Sequence, residues 1–266
     1  MHNIKEKAEA DLPDLLLFAE KALALGESMK TPVSYSEDKD FDFVALCFLS
    51  KQMEHARSIK VLVHRGLGRD AQLVARAMHE TLASLSWIAQ QPVERAFQWR
   101  GFACVEDWRL MQQQRDAGET VDPTPEQTID AFLTKHGKVF SKKKPRKPGH
   151  AGNNLSVDDP YYLNWRGSTS IHAIFEETDR ESLYQEIYGP FSDWIHAGPK
   201  GMADAIHRDN ETVKWILAQP STNAAVLASS FQCLVETSLI IDQHFAMSFG
   251  DKIRGLRSEY IARFVP

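Results

Sequence analysis

From Ala71 to Gln90 the only titratable side chains are Arg76, His79 and Glu80, while leucines, alanines, Val74, Met78, Trp87 and Ile88 fill the rest of the circumference. A helix that is apolar all round is buried. The chain that carries it must therefore supply enough other elements to surround it, and with helical patterns throughout the rest of the sequence the expected fold class is all-α: a multi-helix bundle of about nine or ten helices around one core.

The rest of the 266-residue sequence meets that requirement. Amphipathic patterns with recognisable ends follow one another, and no run of alternating β-branched residues bounded by turns stands out. A first helix is predicted from about Ile4 to Leu25, stopping at Gly26. A second runs from near Phe41 to His64-Arg65-Gly66, and a third starts after Gly68 with Asp70 as N-cap and reaches Gln91-Pro92. Pro92 opens a fourth that ends near Gly118, and Thr124-Pro125-Glu126 opens a fifth that ends about His136. Further helices are predicted near 168–178, 181–196, 201–217, 221–248 and 251–264. The domain reading is an N-terminal helical part (1–140), a basic exposed loop (141–160) and a C-terminal helical part (161–266) packed with the first as a single domain.

Between Ala224 and Ile241 only Glu236 is charged, a length that could span a bilayer. The same run holds Ser229, Ser230, Gln232, Thr237 and Ser238, and that polarity favours a core helix, so no membrane is expected. The three cysteines, Cys47, Cys104 and Cys233, are far apart and sit in apolar helical runs. They read as buried thiols of a reducing compartment. With acidic residues early and no cleavable apolar leader in view, the expected location is the cytoplasm.

Charges in such helices need an explanation. Arg76 and Glu80 stand four apart, on one face, where a guanidinium and a carboxylate can meet. An unpaired buried charge is costly, so pairing is expected. The pair either lines a polar pocket, with Glu80 or His79 available for proton transfer, or fixes helix register. Glu236 needs a partner on another helix, for which Arg76, Arg57 and Arg65 are the candidates.

Tyr184, Tyr188, Ser192 and His196 repeat at a strict spacing of four. On one helix this stripe sets hydroxyls beside an imidazole, which Gly198-Pro199 places in the last turn, where the helix dipole favours protonation. That suits a general acid or a phosphate ligand; a half-buried structural histidine is the other reading. Asp193-x-x-His196 and Asp204-x-x-His207 are two Asp-His pairs at helical spacing. The Glu-x-x-His of di-metal bundles, a cysteine cluster, a Gly-rich phosphate loop, Gly-x-Ser-x-Gly and His-Glu-x-x-His are all missing from the sequence. Neither a metal nor a cofactor is expected.

Lys135, Lys138, Lys142, Lys143, Lys144, Arg146 and Lys147 form a cationic run without an acid among them. The chain as a whole carries −5, so the remainder stands at −12. Such a loop can bind the backbone of RNA or a nucleotide by counterion release, or an acidic protein, although no aromatic side chain is interleaved to stack on bases.

The stretch Leu73-Val74-Ala75-Arg76-Ala77-Met78-His79-Glu80, then Trp87 and Pro92, Trp165-Arg166-Gly167 and Tyr184…Tyr188…Ser192…His196, resembles a bacterial domain-of-unknown-function family of helical proteins over about residues 43 to 200. More distantly, an Arg-x-x-x-Glu helix facing a histidine-bearing helix is similar to the HEPN superfamily, which includes ribonuclease toxins, phage-defence effectors and inactive RNA-binding or dimerising modules. Active HEPN ribonucleases carry Arg-x(4 to 6)-His. Here the corresponding positions are Phe191, Pro190 and Gly189, so Arg76 or Arg166 would have to supply the missing charge.

Two readings follow. In the first, the chain is a HEPN-like protein that binds or cleaves RNA in a stress or phage-defence setting, a metal-independent ribonuclease if it is an enzyme. The resemblance then implies His196 as acid/base, Arg76 stabilising phosphate charge, Glu80 orienting them and Ser192 beside them. His79, Tyr188, Arg166, Lys142, Lys143, Lys144 and Arg146 would contact substrate. In the second, the chain is a non-catalytic interaction protein whose apolar helices mediate homodimerisation.

Overall fold

The computed structural model describes residues 2–30, 39–142, 159–196, 205–209, 212–215 and 220–264, with single positions 33, 36, 199 and 202. The expected all-α bundle is what forms: α1 His2–Ser28, α2 Asp40–His64, α3 Gly68–Gln90, α4 Pro92–Asp116, α5 Pro123–His136, α6 Ile171–Glu177, α7 Glu181–Leu183, α8 Gly189–Ile195, α9 Pro220–Phe245 and α10 Gly250–Phe264. Two compact units result, one of Met1–Gln90 with Ile171–Pro266, the other Gln91–Ser170, so the span 141–160 falls inside the second.

In the first unit the buried positions of α1, Leu15, Phe18, Ala19 and Ala22, keep the 3.6-residue period and turn one stripe inward. Helices α1, α2 and α3 all pack against α9, which is its central element. By length and composition α9 could cross a membrane; 61% of its most apolar window is buried against this unit. Aromatic edges tie α1, α9 and α10 together: Phe18 meets Phe231, Tyr260 and Phe264 at 5.4 to 5.7 Å between ring centroids. The second unit is held by Phe102, Val105, Met111, Ile129, Leu133 and Phe140, with Trp108, Tyr161 and Trp165 packed on them.

The end of α2 shows why the chain turns where it does. Gly66 has φ +70°, and Leu67 N–H and Gly66 N–H donate to the carbonyls of Leu62 and Val63, a Schellman closure that only a residue tolerant of the left-handed region allows. Close approach rather than dihedral angle requires Gly68: a Cβ there would fall on the side-chain oxygen of Asn223 at the start of α9.

Several boundaries differ from the sequence expectation. Helix α1 continues through Gly26 to Ser28, and α3 begins at Gly68, with Asp70 inside its first turn rather than capping it. Helix α5 starts one residue before Thr124, at Pro123, and Asp122 caps it, accepting from the Thr124 N–H at 2.9 Å. Where a helix was predicted over 201–217, Ile206–Asp209 and Thr212–Trp215 pair as an antiparallel hairpin; Thr212, Val213 and Trp215 are residues that favour strands. Cys233 is fully buried as expected, but Cys47 and Cys104 are only half-buried.

The predicted helix 181–196 is not a continuous α-helix. Tyr184–Tyr188 is π-helical, and the Gly189 N–H donates to the Tyr184 carbonyl. Pro190 has no N–H to give to the carbonyl four residues back, which removes one α-type bond at this point and accounts for the wider turn.

Candidate functional site

One polar triad and two polar pairs gather where the segment 178–192 packs over α3 and α9. The triad joins α3 to the π-helical turn. Arg76 Nη2 donates to the Tyr188 hydroxyl at 2.7 Å, its guanidinium lies 4.5 Å from the centre of the Tyr188 ring, and that hydroxyl reaches Glu80 Oε2 at 3.4 Å. Arg76 and Glu80 thus meet through a phenol. Burial and the Glu80 carboxylate raise the Tyr188 pKa, with Arg76 opposing them. The phenol therefore stays protonated, able to accept from Arg76 and donate to Glu80 at once. Tyr184 stacks on Tyr188 at 5.1 Å and 20°.

The first pair lies on the neighbouring face of α3. His79 is 1% exposed, its Nδ1 stands 3.5 Å from Cys233 Sγ, and its Nε2 has no hydrogen-bond partner among the described residues. Burial lowers its pKa to about 4, despite Glu236, so the ring is neutral at pH 7. Burial likewise pushes the Cys233 thiol well up.

The second pair corrects the sequence expectation for Glu236. Its partner is Arg180, not Arg76, Arg57 or Arg65: Arg180 Nη2 is 2.8 Å from Glu236 Oε2, and Gln232 Nε2 donates to Oε1 at 3.2 Å. Asp179 turns the chain for this purpose. It sits at φ +55°, and the Asp179 and Arg180 N–H groups donate back to Glu176 and Phe175, closing α6 in the manner that Gly66 closes α2. Arg180 also donates to the Thr178 carbonyl at 2.7 Å. In the sequence Thr178-Asp179 after the acidic pair Glu176-Glu177 marks a polar stop, but nothing there points Arg180 to Glu236.

The expected catalytic group is only partly brought together. The Ser192 hydroxyl donates to the Tyr188 carbonyl at 2.7 Å, and the His196 N–H to the Ser192 carbonyl at 3.1 Å. His196 is exposed, and its side chain has no hydrogen bond or ion pair to Arg76 or Glu80 among the described residues. Arg166 belongs to the second unit, where Gly167 at φ +65° turns the chain after it. Lys142 is held there by the Asp159 carbonyl at 2.8 Å. Lys143, Lys144, Arg146, Asp204 and the side chains of Asp193 and His207 lie outside the described residues.

One set with metal-ligand character escaped the sequence reading, which looked for Glu-x-x-His. His172, Glu176 and Glu181 bring their ligand atoms within 4.8 Å of one another, on the partly exposed surface of α6 and α7. A His at i and a Glu at i+4 share a helix face, a spacing as able to chelate as the one sought.

The sequence pattern of DUF5677, a family of unknown function, matches residues 42–213, and the chain belongs to that family. No curated protein and no solved structure matches it.

Proposed function

We propose that the protein is a non-catalytic helical interaction protein, with the Arg76–Tyr188–Glu80 cluster specifying helix packing rather than turning over a substrate. One observation carries this reading: apart from His196, the groups a reaction would draw on are engaged in packing. The Arg76 guanidinium both bonds and stacks on Tyr188, the Ser192 hydroxyl is spent on the Tyr188 carbonyl, and His79 is sealed in the core. The partner that fits best is a second copy of the chain, since Val61, Leu67 and Leu73 around the α2–α3 turn are 59%, 43% and 40% exposed. Light scattering at micromolar concentration should give twice the 30.1 kDa chain mass, falling to one chain for Leu67→Asp. A monomer throughout would remove the second copy as the partner.

A second reading is favoured by the exposed imidazole of His196. It is a HEPN-like protein that binds or cleaves RNA, in stress response or phage defence, with Lys142, Lys143, Lys144 and Arg146 holding the backbone. In this reading purified wild type degrades a single-stranded RNA without added metal and His196→Ala does not. Cleavage lost in that variant, with an unchanged melting temperature, would overturn the non-catalytic reading.

A further inference from the structure

Beside the Arg180–Glu236 pair, α9 presents Ala225, Ala228 and Ser229 in successive turns, and these short side chains leave room that no larger neighbour fills. The result is a cavity of about 460 Å³ between the segment Glu186–Phe191, α9 and α10, a size within the roughly 300–1,000 Å³ usual for small-molecule sites. Its walls are apolar, made by Ile187, Phe191, Val235 and Ile261, and Tyr260 stacks on Phe231 at 4.2 Å and 15° to form its aromatic side.

The charges around it are few and opposed. Glu236 lines the cavity but is neutralised by Arg180, and Gln232 occupies its other oxygen. Arg257 and Glu186 are exposed at the lining, and neither has an ion-pair partner among the described residues. A simple anion would meet Glu186 and a simple cation would meet Arg257. A ligand with an apolar body and both charges meets each with its complement.

We infer that this cavity binds a zwitterionic small molecule with an apolar side group, of the chemistry of an aromatic or branched α-amino acid: carboxylate on Arg257, ammonium toward Glu186, and side group between Ile187, Phe191, Val235 and Ile261. The site uses none of the groups that the RNA or dimer readings invoke, so it stands or falls apart from them.

Calorimetry on the full chain with three probes tests it: L-phenylalanine, L-phenylalaninamide, which lacks the carboxylate, and 3-phenylpropanoate, which lacks the ammonium. L-Phenylalanine should bind at least about tenfold tighter than either analogue. Arg257→Gln should weaken L-phenylalanine about tenfold while leaving phenylalaninamide unchanged, and Glu186→Gln should make 3-phenylpropanoate the equal of L-phenylalanine. Both positions are exposed, so these variants should fold, which circular dichroism checks. No binding of L-phenylalanine at millimolar concentration, equal binding of 3-phenylpropanoate by wild type, or an Arg257→Gln variant indistinguishable from wild type would each overturn the assignment.

Discussion

Arg180 Nη2 lies 2.8 Å from Glu236 Oε2, tying the turn after α6 to the middle of α9, the central helix of its unit. Both side chains are less than one fifth exposed, so the pair is screened little by solvent. Breaking it should cost far more than an exposed ion pair would.

Arg180→Ala leaves Glu236 half-buried without its cation and should lower unfolding free energy by about 2 to 4 kcal/mol. Arg180→Met combined with Glu236→Leu should recover much of that loss, because it removes the stranded charge with its partner. Urea unfolding at pH 7 measures both. A single variant within about 0.5 kcal/mol of wild type would mean that the pair holds nothing.

At the Arg76–Tyr188–Glu80 cluster, Tyr188→Phe keeps the ring under the guanidinium and loses only the hydroxyl. It should cost about 1 kcal/mol. Arg76→Ala loses the bond, the stacking and the charge facing Glu80, and should cost about 3 kcal/mol. In the double variant the losses should fall short of their sum by at least about 0.5 kcal/mol, since the two side chains share one interaction; strict additivity would rule out the coupling.

The neutral state of His79 makes stability depend on pH. Its folded pKa is lowered to about 4 from an ordinary 6.5, so the unfolded chain binds the extra proton between those values. The contribution is full above about pH 6.5 and is lost as pH falls through 6.5 toward 4, by at most about 3 kcal/mol. Comparing melting temperatures of wild type and His79→Met from pH 7 to 4.5 isolates the effect: the wild type should decline more steeply. Parallel curves would show that the imidazole does not titrate in this window.

Gly68→Ala pushes a methyl group onto Asn223 and should destabilise the fold by about 1 to 3 kcal/mol. Adding Asn223→Gly opens the space again, so the double variant should lie closer to wild type than Gly68→Ala alone does. Thermal denaturation decides, and no rescue would place the strain elsewhere.

The sequence made the bundle legible because its central helices are apolar round most of their circumference, α1 turns one apolar stripe inward, and several helices have sharp stops. Gly66 and Gly118 both close helices where they were expected. Less of the site could be read. The coupling of Arg76 and Glu80 was visible as a spacing, but the phenol between them comes from a residue 112 positions along the chain from Arg76. Glu236 announced that it needed a cation without indicating which, because Arg180 reaches it only through the left-handed turn at Asp179. The four-residue stripe from Tyr184 to His196 presumed an unbroken α-helix, and Pro190 breaks that presumption. The hairpin at 206–215 was missed because two strands of four residues are too short to establish an alternation.

A π turn holds one residue more than the α turn it replaces, and each residue of an α-helix turns the chain by roughly 100°. Phe191, Ser192 and His196 therefore point about a quarter-turn away from where an uninterrupted helix would aim them. Deleting a single codon within Tyr184–Tyr188 would remove the residue that the wide turn absorbs and leave Phe191 on the cavity wall and His196 on its present bearing, so the turn and not the number of residues before it sets which side chains share this face.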